Sequence, residues 1–243
     1  MKLPPATAPR VDHAITLLRS RIIEGSIAPG ALLAESAVAR KLGVSRVPVR
    51  EALFMLERDG LVEFSQTGRA YVKELSAGDF EELFVLRQAL EPVAARLAAP
   101  ALRADASVLE RNIAATRRAR HLSEVTRLDL QFHEKILELS GNARLLRLWR
   151  GIRCELELWL TCLHRQHLSQ QLDTRVQTAN SHEELVECFR TQSPTTCERK
   201  MREHILGWRE WLPAGLPVTA PDENKSANEP GVSRRFRRAA QHE

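Results

Sequence analysis

Apolar side chains return every three or four positions at Val11, Ala14, Ile15, Leu18, Ile22 and Ile23, which predicts an amphipathic helix over 11–24 ended by Gly25. Ala28-Pro29-Gly30 reads as a turn. A short second helix over 35–42 turns Val38, Ala39 and Leu42 inward and stops at Gly43. A third is predicted from Ser45, as its N-cap, to Asp59, with Val49, Ala52, Leu53 and Leu56 inward and Pro48 harmless in the first turn. Two short β-type runs follow, 61–64 and 70–73, joined by the hairpin tip Gln66-Thr67-Gly68-Arg69. From residue 77 to 211 the pattern is helical throughout: 79–99 (with Pro92 as its irregularity), 105–120, 124–140, 143–165, 174–191 and 195–211. The predicted fold is mainly α, an N-terminal winged helix-turn-helix over 11–75 and an all-α helical bundle over 79–212. A loose lead-in occupies 1–10, and a Pro/Ser/charge-rich tail 213–243 reads as unstructured.

Composition narrows the class of function. The 243 residues are long enough for one large domain or two small ones with a real core. No run approaches the ~18 apolar residues of a membrane span. The first residues lack the apolar stretch of a secretory signal. The four cysteines form no CxxC pair and read as reduced thiols, so a cytoplasmic location is expected. The net charge is +5, and residues 1–75 are its most basic part, with 11 Lys and Arg against 8 Asp and Glu. A polyanion partner is therefore expected at that end.

Gly43-Val44-Ser45 turns the chain sharply between two short helices, and the second of these enters a DNA major groove with its N-terminal end in a helix-turn-helix. Arg46 and Arg50, four residues apart, share one face there and can grip guanine edges or phosphates bidentately. Ser45 belongs to the same contact set. Gly68 and Arg69 at the hairpin tip are placed to approach the minor groove or backbone.

The run Ile27-Ala28-Pro29-Gly30, then Gly43-Val44-Ser45-Arg46-Val47-Pro48-Val49-Arg50-Glu51-Ala52-Leu53 and Asp59-Gly60-Leu61-Val62, resembles the GntR family of winged-helix regulators. The resemblance implies that Arg46 and Arg50 contact an operator. In the fatty-acid-responsive member of the family a further arginine precedes the recognition helix, and Ser36 stands at its counterpart position. A serine reaches phosphate but does not read guanine as arginine does.

In the C-terminal part, Asp129 and His133 lie four residues apart on one predicted helix, with a carboxylate and an imidazole one turn from each other. His182 and His204 fall on later helices, so the four can converge in a bundle core on one divalent ion. His164 and His167 read as ordinary surface or core histidines. Asp129-x-x-Phe132-His133 with Ser140-Gly141-Asn142, Leu86-Arg87-Gln88-Ala89-Leu90-Glu91-Pro92 and the pair His182/His204 resemble the FCD ligand-binding domain found in the FadR-like subfamily. That resemblance implies Zn, Ni or Mn at Asp129, His133, His182 and His204, and a small organic acid as effector. Three histidines and a carboxylate suit those ions better than Mg or Ca. Arg87, Arg150 and Arg153 are the candidate partners for an effector carboxylate. Together these features predict a homodimeric, metabolite-responsive transcriptional regulator of a two-fold-related operator, not an enzyme and not membrane-bound. The alternative is a metal-dependent hydrolase using the Asp/His ion, with Glu134 or Glu183 as base, although no HExxH motif is present.

Overall fold

The computed structural model describes residues 8–169 and 173–210, so the tail and the indole of Trp211 lie outside the described residues, as do the side chains of His167 and Trp208. Three helices open the chain: α1 (Ala8–Ile23), α2 (Glu35–Leu42) and α3 (Arg46–Arg58). α1 begins three residues before its predicted start, inside the expected lead-in. Pro9 falls in its first turn, where a missing N–H leaves nothing unsatisfied. Gly43 ends α2 with φ 66°, a left-handed conformation that only glycine adopts without strain, and its N–H closes on the Ala39 and Arg40 carbonyls. Ser45 holds the N-cap position of α3 in extended conformation, yet its hydroxyl accepts no capping hydrogen bond. The physical reason is Pro48: at N3 it has no N–H to offer.

Strands β1 (Val62–Phe64) and β2 (Ala70–Val72) pair antiparallel, Val62 with Val72 and Phe64 with Ala70. Residues 31–33 add a bridge to the same hairpin, through Leu33 N to Ala70 O at 2.8 Å and Val72 N to Ala31 O at 3.0 Å. Leu18, Ile22, Leu33, Val49, Leu53, Leu56, Leu61 and Val72 form the core beneath this wing.

The rest is helical: α4 (Ala77–Ala104), α5 (Ser107–Arg118), α6 (Leu122–Leu139), α7 (Ala143–Ser169), α8 (Thr174–Thr191) and α9 (Pro194–Glu210). Ser76 and Asp79 close a reciprocal capping box at the start of α4. Sequence periodicity ended this helix at 99, but it continues to Ala104 through Pro92 and Pro100. Pro92 removes the donor that would satisfy the Gln88 carbonyl. Arg202 of α9 supplies a replacement at 3.4 Å, while Gln88 Nε2 donates back to the Arg202 carbonyl at 3.0 Å. Phe132, Trp149, Trp159, Phe189, Met201 and Ile205 sit in the bundle core.

The two parts are joined by more than the connecting chain. Leu158 of α7 is buried in the core beneath the wing. Lys73 Nζ reaches Glu155 at 2.9 Å and Asp79 at 3.1 Å, and these carboxylates raise the Lys73 pKa although its burial opposes them. Arg165 donates to the carbonyls that end α1. No described helix is long and apolar enough to cross a membrane.

Candidate functional site

Two clusters of polar side chains stand out, one at each end of the chain. The first is a groove of about 320 Å³ between α2, the start of α3 and the hairpin tip, lined by Glu35, Ser36, Arg46, Arg50, Gly68 and Arg69 among others. Arg46 and Arg50 leave the first turns of α3 side by side, with 72% and 65% of their side chains exposed. Gly68 turns the hairpin tip with φ 72°, nothing stands near the side it would carry a Cβ on, and Arg69 is exposed beside it. Ser45 is exposed at the mouth of α3. Phe54 stacks on Phe64 at 5.0 Å between centroids, which ties α3 to the wing strand. The Arg50 guanidinium lies over the Phe54 ring.

Sequence reasoning missed Glu35. Its carboxylate lies 3.4 Å from Arg46 and 3.7 Å from Arg50, so one acid on α2 holds both cations over the groove. The signal was available only in part, because Glu35 reads equally well as a first-turn helix acid.

The second cluster is buried in the bundle. His133 from α6, His182 from α8 and His204 from α9 present ring nitrogens that all lie within 4.8 Å of one another. His133 Nε2 and His204 Nε2 are 3.3 Å apart. Asp129 Oδ1 lies 3.1 Å from His182 Nε2 and 3.6 Å from His133 Nε2. Phe132 stacks on the His182 ring at 3.8 Å and holds it in plane. Burial pushes the His182 pKa down, and Asp129 only partly opposes it. Burial and the facing histidines push His204 well below the usual range. Asp129 goes the other way: burial raises it, but its contacts with His182, His133 and His164 hold the carboxyl well below the ordinary carboxylate range.

Imidazoles kept neutral at His182 and His204, beside an ionised Asp129, are the protonation states that a divalent ion requires. A second observation fits the same group. Both ring nitrogens of His182 and Nδ1 of His133 are buried without an aligned hydrogen bond, although an acidic oxygen stands 3.1 Å from His182 Nε2 and 2.8 Å from His133 Nδ1. At His182 Nε2, such a close approach without hydrogen-bond alignment is what a cation between the two atoms resolves.

Behind the histidines sits Glu91, fully buried. It accepts from Arg87 Nε at 2.6 Å, Arg87 Nη2 at 3.0 Å and Trp149 Nε1 at 2.8 Å, and its Oε2 is 2.8 Å from His133 Nδ1. Burial pushes its pKa up, and the Arg87 charge together with the contact to His133 holds it low nonetheless. Were His133 to hold a metal through Nε2, this carboxylate behind its far nitrogen would set the ring's orientation and tautomer once the two align as a hydrogen bond. By sequence, Glu91 reads only as part of the motif 86–92 and Trp149 only as a core or interface residue, and neither as part of this site, although the i, i+4 spacing of Arg87 and Glu91 was visible.

The three arginines named for an effector fall in different surroundings. Arg87 is buried beside the histidine cluster. Arg150 pairs with Glu134 and Glu138 at 2.6 and 2.8 Å, and Arg153 with Glu134 and Glu157, both at 3.2 Å. His164 is buried with Nδ1 2.8 Å from Thr126 Oγ1.

Comparison with known proteins covers both parts. The family model described as bacterial regulatory proteins, gntR family, matches residues 10–72, and that of the FCD domain matches residues 82–207. A probable D-xylose utilization operon transcriptional repressor of Paenarthrobacter nicotinovorans is 28% identical over 82% of this chain and 84% of its own length. A gluconate operon transcriptional repressor of Bacillus licheniformis is 25% identical over 72% of this chain and 73% of its own. The HTH-type regulator YdhC of Bacillus subtilis is 33% identical over 53% of this chain, and the match spans 59% of YdhC. Among solved structures, a GntR regulator from Rhodococcus sp. RHA1 superposes with a TM-score of 0.63 at 23% identity, over 86% of this chain and all of its own. Escherichia coli McbR/YncC does so with 0.62 at 18%, over 84% and 99%.

Proposed function

This chain belongs to the GntR family of transcriptional regulators and carries an FCD domain, and from that premise we propose that it binds a two-fold-related operator as a cytoplasmic homodimer under the control of a small carboxylate. The observation that carries the DNA reading is the groove in which Ser36, Arg46, Arg50, Gly68 and Arg69 meet, with both recognition arginines exposed at the start of α3. Arg46 and Arg50 are the base readers. Ser36, Ser45 and Arg69 are backbone contacts, and Gly68 lets the wing tip approach closely.

Asp129, His133, His182 and His204 are the proposed ligands of a divalent ion, Zn, Ni or Mn. Such an ion would supply Lewis-acid binding to a carboxylate oxygen of the effector. Arg87 is the one of the three arginines buried beside the histidines, but its Nε and Nη2 already serve Glu91, so an effector carboxylate would share it with that acid. The name of one relative ties it to a gluconate operon, and gluconate is a small hydroxycarboxylate of the proposed class. α7 supports a route outward: Trp149 near its start bonds Glu91, and Leu158 near its middle packs beneath the wing. An effector acts along it only if it binds one arrangement of the two parts better than the other.

The hydrolase alternative has less support. Its candidate bases are already engaged, Glu134 by Arg150 and Arg153 and Glu183 by Arg117.

The operator test is direct. Arg50→Ala is expected to weaken operator binding by about 1–3 kcal/mol and to relax specificity at one base pair. The double variant Arg46→Ala, Arg50→Ala is expected to bind operator no better than unrelated DNA at matched salt. Equal operator affinity for the double variant and the wild type overturns the assignment. A thermal-shift screen of small carboxylates against the metal-loaded protein tests the effector class.

A further inference from the structure

Two of the four cysteines face each other in the bundle core. α8 and α9 form a helical hairpin whose link is only Gln192-Ser193. Cys188 is the fourth residue from the end of α8, and Cys197 is the fourth residue of α9. Cys188 Sγ stands 3.8 Å from Cys197 Sγ, and the Cys197 thiol donates to the Cys188 carbonyl at 3.4 Å. Both thiols are free. The register of the hairpin is held on its exposed side by Lys200 and Glu184 at 2.7 Å. Its closed end is held by Arg103 of α4, which donates to the Gln192 carbonyl. A buried cysteine ordinarily packs as a small apolar side chain. Here two sulfurs nine residues apart in sequence are aimed at one another. Six residues before Cys188 and seven after Cys197 lie His182 and His204, about 10 Å further along the same two helices.

We propose that Cys188 and Cys197 are a peroxide-sensitive dithiol that closes to a disulfide and thereby resets α8 against α9 at the histidine cluster. Access selects the oxidant and the order of events. Cys188 is 8% exposed and Cys197 1%, so a molecule as small as hydrogen peroxide meets the Cys188 sulfur first. That sulfur attacks one peroxide oxygen, the O–O bond breaks, and the other oxygen leaves as water with the Cys188 proton. Cys188 is then a sulfenic acid. The Cys197 sulfur attacks the Cys188 sulfur, the S–S bond forms, and the S–O bond breaks. The departing hydroxyl takes the Cys197 proton and leaves as a second water. Burial and the facing Cys188 push the Cys197 thiol up to about 12, so it carries that proton at neutral pH. Two thiols have lost two electrons, and one peroxide has gained them. Exchange with a small thiol returns the pair to the reduced form, as expected of a sensing disulfide in a reducing compartment. Bonded sulfurs stand about 2 Å apart, so these must approach by about 1.8 Å. Both side chains are packed in the bundle core, which yields little, so α8 and α9 take up part of the movement. The effect on the histidines rests on the proposed metal reading, whereas the disulfide itself does not.

The test uses the full chain with Cys154→Ala and Cys162→Ser, so that only this pair can react. Hydrogen peroxide under native conditions is expected to remove both remaining thiols, counted after unfolding. Trypsin cuts after Arg175, Arg190 and Arg199, so peptides 176–190 and 191–199 are expected to come off linked, lighter by two hydrogen atoms than their sum. Dithiothreitol is expected to separate them and return both thiols. Further substitution of Cys188→Ala or Cys197→Ala is expected to abolish the linked peptides. The linkage map of the parent chain decides the matter even where those variants fold poorly. Zinc titration of the oxidised and reduced forms is expected to give dissociation constants that differ about fivefold or more, the low end of ordinary coupling between two sites. In the chain that also carries Cys197→Ala, peroxide is expected to leave zinc affinity unchanged. Two thiols still present after peroxide, or a link that forms only in denaturant, overturn the dithiol site. A link that forms while zinc binds both forms equally overturns its action on the histidines. Absence of zinc binding in both forms overturns the metal reading, and the linked peptides then stand or fall by themselves.

Discussion

Glu91→Ala is expected to cost about 3–5 kcal/mol of folding stability, the range for removing one partner of a buried ion pair. Glu91 is fully buried and is the acceptor for two nitrogens of Arg87 and for the indole of Trp149. Alanine leaves the Arg87 guanidinium in the bundle core without its counter-charge. A chain of this size can lose most of its net stability that way. Glu91→Gln keeps the hydrogen-bonding shape but not the charge, and is expected to fall between wild type and Glu91→Ala. The same change removes the carboxylate behind His133, so metal affinity is expected to drop about 10–100-fold. Urea unfolding of the metal-free proteins measures the first effect as a lowered midpoint at unchanged slope. Metal titration measures the second. A stability loss under about 1 kcal/mol for Glu91→Ala would show that Arg87 finds another partner or leaves the core.

Metal removal is expected to lower the apparent stability of the wild type and to leave His182→Ala unaffected. An ion bound only by the folded chain stabilises it by about 2.7 kcal/mol at a free concentration 100 times its dissociation constant. The readout is the difference in melting temperature between metal-loaded and chelator-treated protein, together with metal content by elemental analysis of untagged protein. Substoichiometric metal in the wild type after incubation with Zn, Ni and Mn at neutral pH rejects the site. The pH dependence has a definite sign. His182 and His204 are held below the usual imidazole range in the folded chain. Their contribution is therefore complete above the unfolded value of about 6.5 and is lost as the pH falls toward the folded values. Glu91 and Asp129 are depressed too, so their contribution persists to lower pH and is lost below about 4. Metal affinity falls in the same direction as imidazoles take up protons, beginning near pH 6.5. Stability that rose on acidification from pH 7 to 5 would contradict the buried neutral histidines.

Local sequence determined the elements and the chemistry. The three-and-four spacing of Leu18, Ile22, Val49, Leu53 and Leu56 was enough to predict α1 and α3, because each helix buries one stripe and the stripe is written in the chain. Gly43 and Gly68 marked turns because both need a left-handed backbone. Asp129 and His133 share a helix face by spacing alone. Ranges of contact longer than one element were not legible. The passage of α4 through Pro92 depends on Arg202, which is 110 residues away and meets Gln88 only when α9 lies along α4. The capping role expected of Ser45 failed because a proline three residues later has no N–H, a local fact outweighed in the reading by the strong preference for serine at that position. In the sequence Arg87 was one of three candidate partners for an effector carboxylate, and periodicity did not say which of them faces inward. The folded bundle places it against Glu91, one turn away, and places Trp149 and His133 on the same carboxylate. Burial decides this: in water the pair would be worth little, and in the core each charge needs the other. Whether His133, His182 and His204 meet was likewise a tertiary matter. Each sits on a different helix, and only the packing of α6, α8 and α9 sets their nitrogens within 4.8 Å.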